Sequence, residues 1–321
     1  MTRWPILLLA ALPGVPSGLQ SAELDVPPAV VTIKDGRPDI RDLYTAFAGL
    51  ADRGWIIDVI VHSQPDGVAT ALPVIALRSP ARGSATWVIS GIHGEEPAGP
   101  AAIAASIEAI AEFGAQHPMV VLPLTNPHGY ARNWRYLNSP VWSSDIASQS
   151  VGDSSHLLPD PADPGIARAA AASSPEADAI TAYIRTMQTE YPALVSIDLH
   201  EDNLLERGYV YSQGTAGAAD PMATAAVRVL LNQGIPLQLE GSTRFDETIV
   251  DGIIGPVADS SIDELMSAAQ LVLDGKVVPG PAARSVLVFE TPAGVLPLER
   301  RIDAHAALLG RMLQMISADP D

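Results

Sequence analysis

The chain has 321 residues, 47% of them hydrophobic, and 37 acidic against 19 basic side chains give it a net charge of −18. That length suggests one large or two ordinary domains, and the acidity argues against binding nucleic acid, which needs clustered Lys and Arg along the phosphates. Cysteine is absent, which excludes disulfides, thiolate ligands and cysteine nucleophiles, so any transition-metal site must use His, Asp and Glu.

The N-terminus, "MTRWPILLLAALPGVPSGLQSA", puts one arginine before a short apolar run followed by small residues. Residues 1–22 read as a cleaved secretory signal, with an ordinary N-terminal segment as the alternative. The first reading makes the protein periplasmic or secreted, the second cytoplasmic. The run falls short of the ~20 apolar residues of a membrane span, and we expect no stable membrane association. From there to residue 321 no linker or internal repeat interrupts the chain, so residues 23–321 read as one domain.

Short Val- and Ile-rich runs alternate with longer Ala-rich stretches, as when strands alternate with helices. In chain order, strands are predicted at Ile56–Val61, Pro73–Leu77, Thr86–Gly91 and Met119–Leu124, then at Leu194–Leu199, Tyr209–Ser212 and Ser285–Phe289. Helices are predicted at Ala101–Phe113, Glu176–Thr189, Pro221–Asn232 and Ile302–Met315. Near-continuous apolar strands imply burial on both faces. The expected fold is therefore α/β, with a central mixed, mostly parallel sheet covered by helices on both faces. The Pro-rich "LLPDPADPG", Leu157–Gly165, reads as a surface excursion.

Three predicted strands end on chemically loaded residues: "TWVISGIH" at His93, "LVSIDLH" at His200 and "SVLVFE" at Glu290. Ligands of open α/β sheets bind outside the carboxyl ends of the strands, so residues two hundred positions apart can share a site. Two imidazoles and one carboxylate, His93, His200 and Glu96, suit Zn2+ with a fourth position left for water. A turn after His93, relieved by Gly94, would return Glu96 to the same point. Asp198 shares a strand face with His200 and could orient a ligand. Each histidine alone could equally be a satisfied polar group; His62, His117 and His305 are left in that class.

In order along the chain, "GIHGEEPAG", "NPHGYARNWRY", "SIDLHEDN", "SSIDEL" and "VFETPAG" resemble the zinc carboxypeptidases, the M14 metallopeptidases. The related amidohydrolases of the aspartoacylase and succinylglutamate desuccinylase type share the core. The resemblance covers about Thr86 to Arg301. It implies one zinc ion held by His93, Glu96 and His200, with Glu290 as general base and Arg135 stabilising the oxyanion. Asn126 and Pro127 match the Asn-Pro that ends a strand beside the site, and His128, where an aspartate is usual, is taken as a loop change rather than a fourth ligand.

The chain also departs from the family. An Asp-x-Asn-Arg segment normally grips the substrate's terminal carboxylate, and aligning Asp153 puts Ser155 and His156 where its Asn and Arg would stand. Neither copies a bidentate guanidinium fork. Arg132 or Arg244 could supply the cation, or each is an ordinary surface arginine. The tyrosine that peptide-cleaving members place shortly before "SSID" is missing. Ile262 and Asp263 keep the positions that would line a side-chain pocket. Glu201 and Asp202 add negative charge that would favour a cationic substrate, or form a solvated loop. The resulting expectation is a metallocarboxypeptidase acting on short peptides or peptidoglycan fragments. An N-acyl amino acid deacylase, or a zinc-site binding protein without turnover, is the alternative.

Overall fold

The structure is a computed structural model describing residues 30–141 and 150–318; the N-terminal reading of residues 1–22 lies outside them. Its centre is built by the segments with least polar alternation. Strands β2 (Leu72–Arg78), β3 (Ala85–Ser90) and β4 (Met119–Leu122) are buried along their whole length. Such strands are covered on both faces. They belong to a ten-stranded sheet, whose other members are β1 (Ile56–Ser63), β5 (Ala193–Asp202), β6 (Tyr209–Ser212), β7 (Glu240–Ser242), β8 (Thr248–Val250), β9 (Ile253–Ile254) and β12 (Ser285–Pro292). The spatial order is β1-β2-β4-β3-β5-β12-β6-β9-β8-β7. The sheet is mixed. The central joins β4–β3, β3–β5 and β5–β12 are parallel, whereas β1–β2, β2–β4 and β12–β6 are antiparallel. A small hairpin, β10 (Gln270–Leu273) with β11 (Lys276–Pro279), stands apart from it.

Helices cover both faces. On one, α1 (Ile40–Ala48), α2 (Ala98–Ala105), α3 (Ile107–Gly114), α6 (Pro221–Asn232) and α8 (Leu298–Ala318) pack Leu43, Ile103, Ile110, Met222 and Leu308 on Val195, Ile197 and Leu287. On the other, α5 (Pro175–Met187) and the short α7 (Ile262–Ser267) bring Ile180, Ile184 and Leu265 against Trp87, Ile89 and Val286. Because side chains alternate along a strand, Val195, Ile197 and Leu199 of β5 face the first layer. Ser196, Asp198 and His200 therefore face the second. The parallel register sets His200 beside Glu290 and Asp198 beside Val288. A group of the sheet's buried polar residues thus stands at the carboxyl ends of β5 and β12, on one face.

Two predicted elements differ in extent. The stretch predicted as one helix, Ala101–Phe113, starts at Ala98 and breaks at Ser106. There the backbone N–H reaches both Ala102 O and Ile103 O, a shared bond common at helix ends. The last helix is longer than predicted, Leu298–Ala318. Among the described residues no helix is long and apolar enough to cross a membrane.

Candidate active site

The chain leaves β3 at Ser90 and turns sharply at Gly91, whose φ of +68° favours glycine. Any Cβ there would also meet Leu124 Cδ1 at 2.8 Å. Three residues on, a Cβ on Gly94 would collide with the backbone of Gly129. The turn from His93 to Glu96 is thereby pressed onto α4 (Pro127–Arg132). Asn126 caps α4 by accepting from Gly129 N at 2.9 Å, and its Nδ2 donates to Arg135 O at 3.2 Å. The "NPHGY" segment therefore fixes the backbone that carries Arg135.

Glu96 stands between two imidazoles. Its Oε1 lies 2.8 Å from His93 Nδ1 and its Oε2 lies 2.8 Å from His200 Nδ1. The two rings are 5.0 Å apart, centre to centre. Glu96 Oε2 also accepts from Glu201 N at 3.1 Å. On the far side of its ring, His200 Nε2 is 3.1 Å from Asp198 Oδ2. Burial opposes ionisation of His200, but Asp198 and Glu96 outweigh it and hold its pKa well above the usual imidazole value. His93 is pushed down to about 4, by burial first and by Arg135 second. One ligand atom from each of His93, Glu96 and His200 falls in a group less than 4.8 Å across. Two inward-facing Nδ1 atoms and a carboxylate, with His200 also held by Asp198 and Glu96 by Glu201 N, make a donor set that a divalent metal would fit.

Beside this triad is a cavity of about 260 Å³. Arg135 lines it, donating from Nη1 to Glu95 Oε1 at 2.9 Å and to Glu96 Oε1 at 3.0 Å. Its Nε is buried without a partner. Glu290 lines it too, and its Oε2 also lacks a partner. Burial, partly offset by His200, pushes the Glu290 carboxyl up to about 8. Ile262 and Asp263 form part of the wall. Asp263 is 5% exposed, its Oδ1 has no partner, and burial and then Asp198 raise its pKa. Arg244 lies at the cavity as well, donating to Asp202 Oδ2 at 2.7 Å.

Three sequence candidates do not line the cavity. Ser155 Oγ donates to Asp153 Oδ1 at 2.6 Å, and His156 Nε2 turns to Thr181 Oγ1 at 3.3 Å. Arg132 stacks over Trp134 and donates to the carbonyls of His128 and Leu137. Ser154 N donates to Ser260 O, just before α7, and on the two sides of this tie Gly152 and Asp153 line the cavity whereas Ser155 and His156 do not. His128 is 4% exposed and bonds the Ser63 carbonyl, away from the triad.

Sequence reasoning overlooked Glu95, Tyr209 and Tyr211. Glu95 was visible only as the middle of "GEEP", without its partner Arg135. The two tyrosines alternate along β6, so both share a face, and Tyr209 pairs in register with Glu290. Their rings are 5.4 Å apart, and Tyr211 Oη donates to Glu247 Oε2 at 3.0 Å. The alternation in "YVYS" was the available signal.

No family model and no curated protein sequence matches the chain. Solved structures do match its fold. A candidate metallopeptidase of Shewanella baltica OS155 superposes with a TM-score of 0.67 at 19% identity, over 86% of this chain and 92% of that one. Another from Shewanella amazonensis SB2B gives 0.66 at 23%, over 86% and 93%. Bovine thrombin-activatable fibrinolysis inhibitor gives 0.58 at 14%, over 88% and 98%. The fold is metallocarboxypeptidase-like. At these identities the likeness speaks for architecture, and the chemistry must be argued from the residues.

Proposed function

We propose that the protein is a zinc-dependent hydrolase of amide bonds, carboxypeptidase-like in acting near the end of a short peptide or peptidoglycan fragment. The observation that carries this reading is the meeting of His93, Glu96 and His200 with a partnerless Glu290 oxygen and a partnerless Arg135 Nε at one cavity. Two histidines and a glutamate form a zinc donor set of the catalytic kind, with a position left open. A bound zinc ion would supply Lewis acidity, bringing a water toward a pKa near ~7 and drawing electron density from a carbonyl.

The chain's own groups account for the rest. Glu290, deprotonated, takes a proton from the attacking water and hands it to the departing amine nitrogen. Raising its pKa by burial strengthens it as a base and makes that return possible near neutral pH. Arg135 is held in place by Glu95 and Glu96 while keeping Nε for the oxygen that gains charge as the carbonyl becomes tetrahedral. Glu201, bonded to Ala98 N and paired with Arg301, anchors the start of α2 behind the Glu96 turn. The small cavity suits a leaving half of about one residue, since it falls below the ~300–1,000 Å³ of drug-sized sites.

The test is a peptide assay before and after chelation and zinc return, with zinc content measured in parallel. Glu290→Gln is expected to keep zinc and lose roughly 10²–10⁴-fold in turnover. A fully active Glu290→Gln protein, or turnover unaffected by complete zinc removal, would refute the reading. Release of acyl groups from N-acyl amino acids would move the assignment to the deacylases.

A further inference from the structure

Seven carboxylates and two guanidiniums line the cavity. Each guanidinium is matched to carboxylates of the protein itself: Arg135 to Glu95 and Glu96, Arg244 to Asp202. Among the described residues no other Lys or Arg reaches the lining. Residues 142–149, outside the description, contain none either. The side chains standing where a carboxylate-gripping pair is expected, Ser155 and His156, bond to Asp153 and Thr181 instead. What remains at the wall formed by residues 150–153 and 259–263 is acidic: Asp153, Asp259 and Asp263.

We propose that the leaving half of the scissile amide carries no free carboxylate and is neutral or cationic, as in an amine or an amino acid whose acid is blocked as an amide. This rests on the amide-hydrolase reading above and narrows its substrate. A free acid in this cavity would need a cation to replace its hydration, and burying a carboxylate without one is strongly unfavourable. A divalent ion at the triad would offset two of the seven carboxylates and Arg301 already pairs a third, Glu201, leaving four against two guanidiniums already matched. Protonating Asp263 and Glu290 would relieve repulsion but add no positive charge. A carboxamide or an amine, by contrast, brings N–H donors to a wall whose Asp263 Oδ1 accepts nothing within the protein. Arg135 is left to the carbonyl oxygen, the duty its partnerless Nε suits.

The experiment compares matched substrates on the zinc-loaded full chain. Benzoyl-glycyl-lysine, benzoyl-glycyl-leucine and benzoyl-glycyl-glutamate, each as free acid and as carboxamide, are followed by chromatography for release of the last residue. The carboxamides are expected to exceed the acids in kcat/KM by roughly tenfold or more, with lysinamide ahead of leucinamide. Free acids cleaved within about threefold of the amides, or faster, would overturn the inference while leaving amide hydrolysis intact. Cleavage of none of them would overturn the hydrolase reading and the inference with it. Binding provides a second readout: zinc-loaded Glu290→Gln protein, studied by calorimetry, is expected to bind the carboxamides roughly tenfold more tightly. Equal affinity for acid and amide would count against the proposal.

Discussion

The sheet carries two buried charged clusters, and they are finished differently. At the β1–β2 edge, Arg78 donates to both oxygens of Asp58, at 2.5 and 3.1 Å, and Tyr183 Oη adds a third bond at 2.7 Å. Asp58 is 2% exposed and Arg78 6%, yet each has partners inside the protein. At the carboxyl ends of β5 and β12 the burial is similar and the satisfaction is not. Asp198 Oδ1, Asp263 Oδ1, Glu290 Oε2 and Arg135 Nε have no partner. Buried polar atoms are nearly always paired, so a group of unpaired ones needs a reason. The metal, water and substrate carbonyl proposed above would provide one, since they would complete the bonds that the protein leaves open.

Mutation can break that contrast. Asp58→Ala leaves Arg78 buried with only the half-exposed Glu190, 3.9 Å away, as a charged partner, and breaking a buried pair typically costs about 3–5 kcal/mol. We expect a large drop in unfolding free energy by denaturant titration, with kcat per folded, zinc-loaded molecule unchanged within about twofold. Arg135→Ala should differ in what it does to turnover, which falls roughly 10²–10³-fold per folded molecule, in addition to the stability lost when Glu95 and Glu96 are left without their cation. If Asp58→Ala abolished turnover in folded protein and Arg135→Ala did not, the two clusters would have to exchange roles.

Acidity sharpens the same comparison. Burial raises the Glu290 carboxyl to about 8, above its value in the unfolded chain, so folding favours the protonated form. Its contribution to stability is present below the unfolded carboxylate range and is lost as pH rises through about 8. In zinc-free protein, Glu290→Gln should therefore match the parent near pH 4 and exceed it near pH 9. The gain expected is about 1–3 kcal/mol after allowance for the partial exposure of the side chain. As a base, Glu290 acts when deprotonated, so kcat/KM should fall toward tenfold per pH unit on the acid side. The midpoint should lie below about 8, because a bound ion lowers the pKa of a nearby carboxylate. A parent less stable than the variant at pH 4 would remove burial as the cause.

The gathering of His93, Glu96 and His200, the candidate ligands, was legible because local rules generate it. Apolar runs announced β3, β5 and β12, the chemistry sat at their ends, and parallel pairing at neighbouring positions brought His200 beside Glu290. The central strands and two helices, Glu176–Thr189 and Pro221–Asn232, were readable for the same reason, matching α5 and α6. The cavity wall was legible only in part, at Ile262 and Asp263. The rest is made by residues 150–153 and the start of the six-residue α7, too short for periodicity, and the two segments are tied by a backbone bond between Ser154 and Ser260. The same holds for the arginines. Whether Arg132, Arg135 or Arg244 faces a substrate is decided by partners such as Glu95, Trp134 and Asp202, which only the tertiary structure brings to them. The short strands β7 to β9 and the break at Ser106 escaped notice because neither carries an apolar repeat long enough to detect.

The smallest expected effect is also the most pointed about the wall. His156→Ala removes a side chain that reaches Thr181 at 3.3 Å and lies 3.9 Å from Asp178. One partly buried hydrogen bond contributes about 1 kcal/mol, so thermal unfolding should shift by only a few degrees. Because His156 sits behind the wall, kcat/KM for acid and amide substrates alike should stay within about twofold. A tenfold rise in KM confined to free acids would mean that His156 turns into the cavity when an acid binds. The carboxylate grip absent from the resting site would then be assembled by the ligand, and the contrast between a settled structural cluster and an open catalytic one would extend to the wall itself.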